Sequence, residues 1–194
     1  MKVSLGAKAL FFPLPVFLVG SYDKAGTPNI MTAAWGGICC SEPPMFAVSI
    51  RPSRWTFDAV MSRKGFTINV PTGGMAAQVD FAGIASGEKA DKFTQLGLTA
   101  VKSDLVDAPY VEECPVVLEC ALHSTVELGS HVQFIGEIKD VKVTDECLDE
   151  KKHPIISLIN PIVYDGGGRE YFKVGTPLGK AFAGGKIFWQ ETNE

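Results

Sequence analysis

Several signatures are missing from these 194 residues, and each absence closes off a class of function. No apolar run approaches the roughly 20 residues that a membrane-spanning helix needs. There is no Gly-x-Gly-x-x-Gly after a strand, so no Rossmann nicotinamide site is expected. Asp165-Gly-Gly-Gly168 lacks the Lys-Ser/Thr of a phosphate-binding loop. No Gly-x-Ser-x-Gly marks a nucleophilic serine. The five cysteines (39, 40, 114, 120 and 147) are odd in number and contain no Cys-x-x-Cys, so neither a disulfide framework nor a thioredoxin-like site is indicated. Their pattern fits a reducing, cytoplasmic compartment. Cys114, Cys120 and His123 lack paired-ligand spacing, and Cys120 and His123 would point to opposite faces of a strand, so no metal site is expected. Charge is also in short supply: 21% of residues are charged, and the net charge of −4 argues against a general nucleic-acid or membrane-surface binder. There is no internal repeat, low-complexity tract or linker, and one domain spanning 1–194 is expected.

Apolar residues, by contrast, make up 46% of the chain, including twelve Phe, enough for a substantial core. Lys2 and Lys8 before the apolar run Leu10–Val19 imitate a secretory leader. Pro13 and Pro15 interrupt it and no Ala-x-Ala follows, so Val16–Tyr22 reads instead as a first strand. Asp23-Lys-Ala-Gly26 turns it back into a second strand, Pro28–Trp35, after which Gly36-Gly37 marks a bend or a close approach of backbone to ligand. A turn at Glu42-Pro-Pro44 leads to Met45–Arg51, with Phe46, Val48 and Ile50 on one face and Ala47, Ser49 and Arg51 on the other. Further strands are expected at Phe66–Val70, Leu98–Asp104, Val116–His123 and Val132–Thr144, the last two joined as a hairpin or bent ribbon. Short helices are expected near Arg54–Ser62, through Met75, Val79 and Ala82, and over Asp91–Leu96, the last stopped by Gly97. Strands with only brief helices between them point to a mainly β protein: an antiparallel, Greek-key-like barrel flanked by short helices.

The chemistry concentrates between Asn29 and Thr56. Arg51, Ser53, Arg54 and Thr56 gather where a helix begins, beside unpaired backbone N–H groups and the positive end of the dipole. Ser53 reads as the cap, and Thr56 stands where a capping box would place Glu or Gln. With no carboxylate there, the helix mouth suits an anion, most naturally a phosphate. The same residues also fit an ordinary serine cap with two solvated arginines.

Asn29-Ile-Met-Thr-Ala-Ala-Trp35, Ser49-Ile-Arg-Pro-Ser-Arg-Trp-Thr56, Phe66-Thr-Ile-Asn-Val-Pro71, Asp91-Lys-Phe93 and Gly129-Ser-His-Val-Gln-Phe-Ile-Gly-Glu137 together resemble the flavin reductase-like, FMN-binding split-barrel family, and within it the flavoredoxin type. The ordered match runs roughly from Phe11 to Lys186. The resemblance implies an FMN cofactor and a homodimer. It places Asn29, Met31, Thr32, Ala33 and Trp35 beside the flavin ring and its ribityl chain, and Ser49 and Ile50 with Arg51, Ser53, Arg54 and Thr56 around the cofactor. It makes Lys92 a phosphate ligand, completing a cationic cradle with Arg51 or Arg54, and puts His131 near the flavin, with Tyr164 reaching it if the glycine loop folds over the pocket. Read without the resemblance, Asn29 is a turn residue, Trp35 a core aromatic, Lys92 a solvated surface cation and His131 a half-buried strand residue. The implied function is an FMN-binding electron carrier whose partner is a redox protein or NAD(P)H. The alternatives are an NAD(P)H:flavin oxidoreductase that uses flavin as a diffusible substrate, and a non-catalytic flavin-binding protein of the same fold.

Overall fold

In a computed structural model, residues 1–189 are described, and 190–194 lie outside them. The elements in chain order are β1 (Leu14–Pro15), β2 (Phe17–Tyr22), β3 (Pro28–Ala33), β4 (Gly36–Ser41), β5 (Pro44–Ile50), α1 (Trp55–Arg63), β6 (Gly65–Val70), α2 (Ala76–Ile84), α3 (Lys92–Leu96), β7 (Ala100–Lys102), β8 (Pro109–Val111), β9 (Val116–Leu128), β10 (His131–Val143), α4 (Ile156–Ile159), β11 (Ile162–Asp165) and β12 (Glu170–Lys173). Seven strands form one antiparallel sheet in the order β3-β2-β6-β9-β10-β5-β4. Strands remote in sequence are neighbours in space, β2 with β6 and β10 with β5, as in Greek-key connections. The sheet rolls until β3 approaches β5, where the Ser49 amide donates to the Trp35 carbonyl at 2.8 Å. No continuous ladder joins β3 to β5, so the barrel is split along that seam.

Alternation explains why β2 is apolar on both faces. Phe17 and Val19 point into the barrel with Met31, Val48, Phe66, Ile68 and Phe134. Val16 and Leu18 face outward into a second core made with Met75, Val79 and Ala82 of the α2 region, Phe93 of α3 and Val111 of β8. The helix period at Met75, Val79 and Ala82 therefore marks the face that covers the sheet. Asp91 caps α3 by accepting from the Thr94 amide at 3.1 Å, and Gly97 ends it in the left-handed conformation.

Two expectations need correction. Arg54, not Ser53, is the N-cap residue of α1, and no side chain caps it, because a turn closed by the Arg54 amide on the Arg51 carbonyl, at 3.0 Å, places Ser53 one residue too early. Gly36 and Gly37 open a strand, β4, instead of bending the chain. Gly36 is required by a close approach to protein, not ligand: an added Cβ would lie 2.5 Å from the Ala47 carbonyl oxygen and 2.7 Å from the Phe17 ring. A bulge between Ile38 and Cys40 breaks the alternation there and leaves Cys39 exposed and Cys40 half-buried.

A buried polar set fastens β2 to β6 and β8. The Thr67 hydroxyl donates to the Pro109 carbonyl at 2.6 Å, the Asn69 amide donates to the Leu18 carbonyl at 2.9 Å, and the Val111 amide donates to Asn69 Oδ1 at 2.8 Å. Gly20 lies over this set, where a Cβ would sit 2.2 Å from the Pro109 oxygen and 2.3 Å from Thr67 Oγ1. Gly20→Ala is therefore expected to cost about 1–3 kcal/mol or more from overpacking. Gly37→Ala, which meets nothing within 4 Å, should cost much less. Urea denaturation of both variants checks the contrast, and equal losses would refute it.

Candidate functional site

The seam between β3 and β5 is where polar backbone and charged side chains meet. β3 pairs with β2 on one side only, so alternate backbone groups on its other side face the seam. Beyond Val48, β5 has lost β4 as a partner, which leaves Ser49 and Ile50 facing the same gap. A hollow of about 260 Å³ opens here. It is walled by Met31, Thr32 and Ala33 of β3, by Ala34 and Trp35, by Ser49, Ile50 and Arg51, and by Arg54, His131 and Tyr164. A smaller hollow of about 80 Å³ adjoins it through Met31 and Arg54 and adds Asn29, Ser53, Trp55, Thr56, Ala85, Ser86, Gly87 and Lys92. All fourteen residues singled out from the sequence thus line one of two connected hollows.

The larger hollow has an aromatic rim. Trp35 is 41% exposed and tilts against His131, with ring centroids 4.6 Å apart, so it is no core aromatic. His131 Nδ1 lies 2.9 Å from the Ser130 hydroxyl. Burial and the nearby Arg51 guanidinium push its pKa below the ordinary histidine value, so the ring is neutral at neutral pH. Ile50 keeps its side chain in the barrel core, and Thr32 spends its hydroxyl on the Val79 carbonyl, tying α2 to β3. What Thr32 and its neighbours offer the hollow is shape and strand-edge backbone.

The smaller hollow is built differently. At about 80 Å³ it is the narrower of the two and has room for a group the size of a phosphoryl. Lys92 is only 2% exposed, so it is no solvated surface cation. Its Nζ donates to the Ile30 carbonyl at 2.7 Å and to the Ala82 carbonyl at 2.8 Å. Two of three ammonium protons are committed, and the third remains for a ligand. Arg54, not Arg51, is the cation that shares this hollow with Lys92; Arg51 stands beside His131. Burial, reinforced by the Arg54 charge, brings the Lys92 pKa down to about 8. The Asn29 side chain donates to Thr56 Oγ1 at 3.3 Å, which leaves the Thr56 proton free to donate. Asn29 Oδ1 is buried with no partner among the described residues. A Cβ on Gly87 would come within 2.5 Å of the Trp55 ring and 2.6 Å of Asn29 Oδ1, filling the cradle.

Two unneutralised cations, a Thr56 hydroxyl free to donate and a glycine that keeps the space open fit a bound phosphoryl group, while Asn29 Oδ1, an acceptor, calls for a donor such as a ligand hydroxyl. The 80s turn (Ala85, Ser86 and Gly87) and Trp55 were not foreseen. Nothing local ties Ser86-Gly87 to Asn29, 58 residues earlier. Among the described residues no three His, Cys, Asp or Glu side chains come together as a metal group.

The model of the flavin reductase-like domain matches residues 9–173. The chain belongs to the flavin reductase-like family. The structure of flavoredoxin from Desulfovibrio vulgaris (Miyazaki F) is similar at TM-score 0.92 and 49% identity, over 96% of this chain and 100% of that one. Flavoredoxin from Methanosarcina acetivorans is similar at TM-score 0.91 and 28% identity, over 97% and 100%. An uncharacterized protein of Archaeoglobus fulgidus is 36% identical over 72% of this chain and 78% of its own length. The fold is that of the family's split barrels, and the cofactor class is a flavin.

Lys92 makes stability depend on pH in a definite direction. Its folded pKa of about 8 lies below the ordinary 10.5, so between these values the unfolded chain binds more protons and stability rises with pH. Without flavin, the wild type is expected to gain unfolding free energy from pH 8 to 10 relative to Lys92→Met. Urea titrations at stepped pH measure the difference, in which other groups cancel; parallel profiles would refute the buried ammonium.

Proposed function

We propose that this protein retains one FMN per chain and carries electrons through it, as a flavoredoxin-type carrier. The observation that carries the reading is the pairing of a phosphoryl-sized cationic cradle, with Lys92, Arg54, Thr56 and Asn29, to a wider hollow at a barrel seam. The flavin, when bound, supplies the electron chemistry. The chain's residues hold and orient it. Ser53, Arg54, Thr56 and Lys92 take the phosphate, and Asn29 and Met31 border the ribityl chain. Thr32, Ala33, Trp35, Ser49, Ile50, Arg51, His131 and Tyr164 surround the ring. Neutral His131 donates or accepts a hydrogen bond without adding charge, while Arg51 favours negative charge on the ring side.

FMN fits this cradle through its terminal phosphate monoester, a dianion above its second pKa near 6. The protein is taken to be one flavin domain over residues 1–194 and a homodimer. Exposed apolar side chains such as Ile38, Val126 and Leu128 support a covered face. No helix among the described residues is long and apolar enough to cross a membrane, and the free cysteines support the proposed cytoplasmic location. A redox protein or NAD(P)H serves as partner.

The cradle is tested through its phosphate. Arg54→Ala with Lys92→Ala is expected to weaken FMN by a few kcal/mol, at about 1.5–3 kcal/mol for each charge-assisted contact, and to leave riboflavin nearly unaffected. Wild-type FMN affinity should fall as pH rises through about 8, because Lys92 loses the proton left for the ligand; riboflavin affinity should stay flat. Quenching of flavin fluorescence reports both, and identical behaviour of the two flavins would remove the cradle. Gel filtration separates the functional readings. A yellow peak of dimer mass that does not oxidise NADH or NADPH with added flavin supports the carrier. A colourless protein with rapid NAD(P)H turnover is a flavin reductase instead, and a yellow protein whose flavin no donor reduces is a binding protein only.

A further inference from the structure

A second hollow, of about 320 Å³, lies against the ring hollow and shares Thr32, Ala33, Ala34 and Tyr164 with it. The flavin reading makes no use of its remaining walls. One wall is aromatic: the Tyr164 and Tyr171 rings lie 5.7 Å apart, tilted by 47°. The floor is lined by small groups, Ala34 and Gly83 among them. Asp80 of α2 and Arg169 provide the charges. The Tyr171 hydroxyl donates to Asp80 at 3.5 Å, a long bond, so part of that carboxylate's demand is already met.

Arg169 is the unexpected member. It sits in the turn between β11 and β12 at φ +60°, its amide donating to the Asp165 carbonyl at 2.8 Å. That conformation is one L-residues disfavour and glycine adopts freely, and three glycines precede Arg169 in the same turn. Among the described residues no carboxylate forms a salt bridge with its guanidinium. A forked cation beside flat aromatic walls suits a carboxylate on a ring. Asp80 opposes a second negative charge in the same space.

We propose that this hollow binds a planar aromatic monocarboxylate edge-on to the flavin ring site, its carboxylate on Arg169 and its ring beside Tyr164 and Tyr171. The proposal rests on the flavin reading for its purpose, since a ligand there would border the ring site, with which the hollow shares Thr32, Ala33, Ala34 and Tyr164. The hollow and its charges do not depend on that reading.

The test is calorimetric titration of the purified protein, with whatever flavin it retains, using benzoate and its neutral isostere benzamide. Benzoate is expected to bind at least tenfold tighter than benzamide. Arg169→Gly removes the guanidinium at a φ that glycine tolerates, so it should abolish that preference without lowering the melting temperature or losing the retained flavin. Equal affinities, or a benzoate preference that survives in Arg169→Gly, would overturn the proposal. Release of bound flavin by benzoate would overturn it too, by placing the ligand in the ring hollow. If the protein holds no flavin, the same titration still decides whether the hollow takes the carboxylate, so the two readings fail separately.

Discussion

The site exists because one strand of the barrel is left without a second neighbour. β3 is bonded to β2 on one side, and on the other the sheet closes only through the Ser49 amide and the Trp35 carbonyl. Exposed strand edges invite unwanted pairing, and proteins usually cover or charge them. Here the edge is used. The Ile30 carbonyl accepts from Lys92, α2 is anchored over β3 through Thr32, and the rest of the edge borders the ring hollow. Closing the seam with a full ladder would complete the barrel and abolish the site.

The same geometry answers an electrostatic difficulty. In the proposed reading, a chain of net charge −4 must hold a phosphate without becoming generally basic. Burying one cation, Lys92, with Arg54 lining the same hollow, would meet that need. The ammonium of Lys92 is tolerated inside because two main-chain carbonyls take two of its protons, one at a strand edge and one in the last turn of α2, where carbonyls lack helical partners. The amine can lose a proton without breaking either bond, which reconciles full burial with a pKa near 8. The charge is therefore available to an anion and is costly without one.

Much of the barrel was legible because its strands alternate and its helices keep period. Phe46, Val48 and Ile50, and likewise Met75, Val79 and Ala82, identify their buried faces by spacing alone. β4 was not legible: its two glycines and a bulge mask the alternation, and the cause of Gly36 is a carbonyl and a ring from other strands. Lys92 looks like any lysine of a short helix until the fold encloses it. The anion site could be inferred from Arg51, Ser53, Arg54 and Thr56, but not the division of labour that pairs Arg54 with Lys92 and Arg51 with His131. These partners lie 38 and 80 residues apart in sequence, and no local pattern spans them.

The two ends of the site answer opposite demands. Carrying electrons requires a cofactor that stays and a ring that can be reached. Under the proposed reading, retention falls to the phosphate end, where Asn29, Thr56 and Lys92 are buried and hydrogen-bonded before a ligand arrives, so that little ordering cost remains for them. Access falls to the ring end, where Trp35 is partly exposed and the hollow opens to a neighbour. A protein that released its flavin at each turnover would gain nothing from a buried lysine kept for its phosphate, since tight phosphate contacts slow departure. The contrast between a rigid anchor and an open ring is thus the structural argument for a carrier over a reductase of diffusible flavin.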